Sequence, residues 1–125
     1  NMRHARKRNT LGLAKDQQKA LIKSLSQELI RHRKIQTTLT RAKVLRPYFE
    51  KLITKAKKAS KAEDVSEKLH YIRLLRKKIN PRFIKLILEQ AEKLEDKQGG
   101  YLRILKLAQN RRGDNSQMAL IELIE

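Results

Sequence analysis

The sequence predicts an α+β fold: about four helices packed on a small three-stranded mixed sheet, preceded by an extended basic N-terminal arm. Three observations carry this. Four stretches between residues 16 and 97 repeat apolar residues at three- and four-residue spacing, the period of a helix. "KIQTTL" at 34–39 and two apolar runs at 101–107 and 118–124 lean instead toward the two-residue alternation of strands. Asn80-Pro81 and Gly99-Gly100 stand where one pattern gives way to the next. At 125 residues the chain fits one globular domain over 16–125, closed by a β-hairpin, with residues 1–15 as the arm.

The arm, "NMRHARKRNTLGLAK", carries Arg3, Arg6, Lys7, Arg8 and Lys15, holds no acid and shows neither periodicity. Such a segment orders only when it meets phosphate. A nuclear-localisation reading of "RKR" competes, but short basic clusters of this kind are common in RNA-binding arms.

Asp16 is placed to cap a first helix running to about residue 32. Leu21, Ile22, Leu25 and Leu29 form its core stripe, and Lys15, Lys19 and Lys23 line its flank four residues apart. In "KIQTTL", Ile35, Thr37 and Leu39 alternate with Gln36 and Thr38, a β-branched pattern that predicts a short strand. Thr40 then caps a second helix with Ala42, Leu45, Phe49, Leu52, Ile53 and Ala56 inward. Pro47 removes one N–H and crowds the preceding turn, so this helix is expected to bend there. Its exposed positions carry Arg41, Lys43, Lys51, Lys55 and Lys58.

"KASKAED" at 58–64 reads as a polar connector. A third helix over 64–78 is expected to turn Val65, Leu69, Ile72 and Leu75 inward and to close on Arg76, Lys77 and Lys78, where cations suit the carbonyl end. Asn80 as cap and Pro81 at the first helical position open a fourth helix to about residue 97, burying Ile84, Ile87, Leu88, Ala91 and Leu94. Gly99 and Gly100 end it. The last two apolar runs, joined by "AQNRRGDNSQ", predict an antiparallel hairpin. Its first strand slips phase between Ile104 and Leu105, which predicts a bulge or a strand covered on both faces.

Charge narrows the function. Thirty-one Lys and Arg against thirteen acids give +18. Residues 1–61 hold eighteen bases and three acids (Asp16, Glu28, Glu50), a net of +15, while residues 62–125 net only +3. A free domain so charged repels itself, and a polyanion relieves that repulsion. The first half is therefore the expected nucleic-acid surface. The chain has no cysteine, which excludes disulfides and thiol chemistry and suits a reducing compartment. No apolar run approaches the roughly 18 residues of a membrane span, and the basic N-terminus has no apolar stretch behind it.

No catalytic constellation is present, so no enzyme, cofactor, metal or small-molecule substrate is expected. His4, His32 and His70 are dispersed and lack metal-ligand spacing. Neither a P-loop nor a G-x-S-x-G turn occurs. Glu89, Glu92, Glu95 and Asp96 cluster on the fourth helix but read as a solvated face. The tripeptide at Arg112-Gly113-Asp114 matches an adhesion motif, yet it sits in a basic turn. Gly113 suits a positive φ there, and Asp114 can bond its neighbouring backbone.

An RNA ligand fits what remains. A-form RNA is recognised through shape, phosphates and 2′-hydroxyls, and bases on an arm, a helix flank and a loop can follow such a surface. The strands offer only Tyr101 for stacking, so a sheet platform for bases is not expected. By charge and placement the expected RNA contacts include Arg6, Lys7, Arg8, Lys15, Lys19, Lys23, Arg33 and Lys58.

"TTLTRAKVLRPYFEKLITKAK" at 37–57, "GGYLRILKL" at 99–107, "RRGDNSQMALIEL" at 111–123 and "MRH" at 2–4 closely resemble one family, the bacterial-type large-subunit ribosomal protein family seventeen. The resemblance implies a structural constituent of the large ribosomal subunit that binds its rRNA beside neighbouring ribosomal proteins, near the nascent-chain exit. It implies helices on a small three-stranded sheet and no catalysis. It carries over Arg3 and His4 in the N-terminal motif, Arg41, Lys43 and Arg46 in the strand-to-helix motif, and Arg111 and Arg112 in the hairpin loop as rRNA contacts. The stretch "KASKAEDVSEKLHYIRLL" departs from the pattern, lacking a glycine common in that turn, which leaves the angle between helices two and three open. "AQN" stands where a proline often precedes "RRGD". The resemblance places the chain on a ribosome in a bacterial cytoplasm or an organelle, and Asn1 ahead of Met2 tilts the expectation toward the organelle. The competing reading is a free-standing, histone-like DNA-compacting protein. A third, an RNA-processing enzyme, lacks a carboxylate or histidine centre.

Overall fold

The computed structural model describes residues 13–124. Arg3, His4, Arg6, Lys7 and Arg8 lie outside those residues. The elements are α1 (Lys15–His32), β1 (Lys34–Thr38), α2 (Leu39–Lys61), α3 (Val65–Arg76), a 3-10 turn (Pro81–Phe83), α4 (Ile84–Lys93), β2 (Leu102–Asn110) and β3 (Gln117–Leu123). The predicted α+β class, four helices against a three-stranded sheet, is what forms.

The sheet order is β1-β3-β2, and both pairings are antiparallel. This corrects the mixed sheet predicted above. β1 and β2 do run in the same direction, but the hairpin strand β3 separates them, so no parallel pair forms. In register, Ile35, Ile121 and Ile104 make one cross-strand row, and Gln36, Leu120 and Leu105 make the next. Strand side chains alternate between faces. Leu102, Ala119 and Ile121 are buried against the helices, whereas Leu105 is 42% exposed on the far face.

The phase slip at Ile104 and Leu105 is neither a bulge nor a doubly covered strand. The ladder is regular from Leu102 to Lys106, and its irregularity falls between Lys106 and Asn110, near the loop. There the Gln117 Nε2 donates to the Leu107 carbonyl at 2.7 Å, giving a partner to a group in the irregular stretch.

α2 is the central element. Ala42, Leu45, Phe49, Leu52, Ile53, Ala56 and Ala59 are all buried, so the predicted stripe extends one position further. Thr38, not Thr40, is its cap: the Thr38 Oγ1 accepts from the Arg41 N–H at 3.3 Å. The helix runs unbroken through Pro47, at the cost of the one i→i−4 bond that proline cannot make. α1 likewise starts one residue before Asp16, whose side chain makes no cap; the residue at the cap position is Ala14.

α3 departs most from expectation. Of its predicted inward stripe only Leu75 is fully buried, while Val65 is 71% and Leu69 44% exposed. The helix is anchored by its C-terminal end, where Leu75 and Ile79 enter the core. Its N-terminal turn is held by Asp64, whose Oδ1 accepts from the Ser66 N–H at 3.1 Å. Asn80 caps as predicted, accepting from the Arg82 N–H at 3.1 Å, but it caps the 3-10 turn that precedes α4. α4 ends at Lys93, short of Gly99 and Gly100. Gly100 instead takes φ +63° at the entry to β2.

Polar ties fix the helices relative to one another. The Gln27 Oε1 on α1 accepts from the Asn80 N–H at 2.9 Å. The Gln90 Nε2 on α4 donates to the Ile30 carbonyl at 2.6 Å. The Glu50 Oε1 on α2 accepts from the Tyr101 N–H at 3.0 Å, just before β2. These bonds join residues distant in sequence and tie α1 to α4 and to the segment before it, and α2 to the start of β2.

Candidate nucleic-acid interface

α1 and α2 diverge enough to leave a cleft of about 990 Å³ between them. Its rim is basic: Lys15 and Lys19 from α1, Lys51 and Lys55 from α2, and Lys78 from the segment after α3. In each helix the two lysines are four residues apart, so they project from the same side, one turn above the other. Its floor is apolar, formed by Ile22, Val44, Tyr48 and Leu52. Among the described residues no Asp or Glu lines it. Like charges held together in this way favour an anion in the cleft.

Tyr48 is fixed in the cleft floor. Its hydroxyl donates to the Lys78 carbonyl at 3.2 Å, and the Lys78 Nζ sits 6.0 Å from its ring centroid. Burial raises its pKa above the ordinary value near 10, so the phenol is neutral at physiological pH.

The other predicted contacts spread around this face. Lys23 is exposed one turn beyond Lys19 but does not line the cleft. Lys43 and Arg46 are exposed on α2, also outside the cleft, and Arg41 is half-buried at the start of that helix. Lys58 is exposed, with its Nζ 5.8 Å from the Tyr71 ring centroid. Arg33 ends α1 in the left-handed conformation at φ +66°, and its carbonyl accepts from the Leu123 N–H at 2.9 Å. That tie locks the helix-to-strand junction onto β3.

The hairpin loop treats its two arginines differently. Arg111 is paired with Asp114: its Nε donates to Oδ1 at 3.1 Å and a second guanidinium nitrogen bonds Oδ2. The Asp114 Oδ1 also accepts from the Ser116 N–H at 3.1 Å. These bonds hold the Asp114 carboxyl well below the usual range, chiefly through Arg111. Gly113 at φ +98° and Asn115 at φ +58° complete the turn. The adhesion-like tripeptide is thus a turn, with its aspartate engaged by its own loop. Arg112 is exposed and has no partner among the described residues.

The sequence reading placed Lys15 and Lys19 correctly on a helix flank but left Lys51, Lys55 and Lys78 out of the contact set. The first two carried a readable signal, since their four-residue spacing repeats that of Lys15 and Lys19. Lys78 had none, because only the turn after α3 brings it to the rim. Among the described residues no group of three or more His, Asp or Glu could hold a metal ion. Among them, too, no helix is long and apolar enough to cross a membrane.

Known proteins resemble this chain over nearly its whole length. The family model described as ribosomal protein L17 matches residues 21–124. A large ribosomal subunit protein bL17 from Persephonella marina is 44% identical, the match covering 99% of this chain and 96% of the relative. Its counterpart from Methylacidiphilum infernorum is 43% identical over 99% of this chain and 89% of the relative. That from Opitutus terrae is 40% identical over 99% and 74% respectively.

Proposed function

The chain belongs to the ribosomal protein L17 family, and on that premise we propose that it is a structural constituent of the large ribosomal subunit that binds and stabilises large-subunit rRNA. The family is structural and non-enzymatic. The observation that carries the rRNA reading is the acid-free, five-lysine rim of the α1–α2 cleft. Lys15, Lys19, Lys51 and Lys55 have no acidic partner among the described residues, so their charge is available to phosphates.

Arg112 at the hairpin tip and Lys43 and Arg46 on α2 extend the contact surface, and Arg3, His4, Arg6, Lys7 and Arg8 continue it along the N-terminal segment. Neighbouring large-subunit proteins complete the surroundings, and the family resemblance supports a position near the nascent-chain exit.

The test is retention. Large subunits purified from the source and washed in high salt should keep the chain. Its presence only in the free protein pool would overturn the proposal. Competition separates it from a DNA-compacting role: at fixed salt the chain should prefer folded large-subunit rRNA to duplex DNA, and equal affinity would favour the histone-like alternative.

A further inference from the structure

The α1–α2 cleft is built for more than phosphate. Lysines alone, on any exposed helix flank, suffice to hold a duplex backbone. Here they surround an apolar floor of Ile22, Val44, Tyr48 and Leu52. At about 990 Å³ the cleft lies at the upper end of the roughly 300–1,000 Å³ that ligand pockets span.

We infer that this cleft takes an unpaired rRNA nucleotide, its base packed on the Tyr48 ring and its flanking phosphates on Lys51, Lys55 and the α1 lysines. The inference rests on the rRNA-binding reading above and specifies which form of RNA the cleft selects. Paired bases keep their faces stacked inside the helix, whereas unpaired bases can splay out onto aromatic side chains. An apolar floor therefore discriminates in favour of a single strand, and the lysine rim supplies the sequence-independent attraction. The Tyr48 ring is already held by its hydroxyl bond to the Lys78 carbonyl. A base packing on it orders little that is not ordered beforehand, which lowers the entropic cost of binding.

The experiment compares an unstructured 12-nucleotide RNA with a 12-base-pair RNA duplex, each titrated against the full chain by fluorescence anisotropy. Tyr48→Ala should weaken single-strand binding about 5- to 150-fold, the range that loss of one base–aromatic contact produces. Duplex affinity should not change. Tyr48→Phe keeps the ring but loses the hydroxyl bond that holds it, so it should retain most of the single-strand affinity that Tyr48→Ala loses, with only a small deficit against the wild type.

A second variant, Lys51→Gln with Lys55→Gln, serves if Tyr48→Ala unfolds. It should flatten the single-strand salt slope by about 1.4, or about 0.7 per phosphate contact. Equal weakening of both RNAs by Tyr48→Ala in a folded chain, or no weakening of either, overturns the inference while leaving rRNA binding intact. An unchanged slope in the lysine variant overturns it in the same way. Failure of the wild type to bind either RNA overturns both readings.

Discussion

Replacing Lys15, Lys19, Lys51 and Lys55 together by glutamine removes four of the five rim charges of the α1–α2 cleft. Lys15, Lys19 and Lys51 are exposed and Lys55 is half-exposed, so the change touches no core packing. Glutamine matches lysine closely in helix propensity. Each helix also loses a like-charge pair at i,i+4, worth about 0.2–0.5 kcal/mol of repulsion, so stability should hold or rise slightly. Binding should respond strongly. Each phosphate contact contributes about 0.7 to 0.9 to the slope of log affinity against log salt, so four contribute about 2.8 to 3.6. Between about 50 and 200 mM salt that slope amounts to roughly 50- to 150-fold. The wild type should therefore lose that much more affinity over this range than the variant does. The assay is anisotropy of the labelled chain titrated with large-subunit rRNA at three salt concentrations, with a thermal melt as the folding control. An unchanged slope in a folded variant would refute the assignment of these lysines to phosphate.

Four further outcomes follow from the fold. Leu75→Ala should cost about 2–5 kcal/mol in urea unfolding, because Leu75 is fully buried. Val65→Ser should stay within about 0.5 kcal/mol, because Val65 is 71% exposed, and a large loss there would restore the inward stripe. Thr38→Ala should cost about 1 kcal/mol and Thr40→Ala much less, since only Thr38 caps α2; the reverse order would move the helix start. Asp114 should stay ionised as pH falls below its unfolded value near 3.9. Its folded pKa is depressed, so its contribution to loop order is present above that unfolded value and is lost as pH falls through the lower folded one. A carboxyl NMR titration with its midpoint near 3.9 would contradict the pairing with Arg111.

Spacing made the α2 core legible because a long helix at the centre of a fold buries one continuous stripe, and every predicted position from Ala42 to Ala56 is buried. The same reasoning failed on α3. Spacing shows which residues share a helix face, but not whether another element covers it, and nothing covers Val65 and Leu69 as fully as Leu75. The caps show a second limit. Thr38 and Thr40 both fit the pattern of an N-cap, and only the backbone of Arg41 decides between them. The sheet shows a third, because antiparallel order depends on which strand takes the middle, and nothing in "KIQTTL" states that β3 lies beside it. For the candidate interface, sequence located the basic half and the Lys15–Lys19 flank. It could not see that α2 aligns Lys51 and Lys55 opposite them, nor that the loop binds Arg111 to Asp114 while leaving Arg112 exposed.

A density map of the large ribosomal subunit containing this chain tests the central claim most directly. It should show rRNA phosphates within hydrogen-bonding distance of Lys15, Lys19, Lys51 and Lys55, on the face between α1 and α2. An α1–α2 face open to solvent, or covered only by another protein, would contradict it.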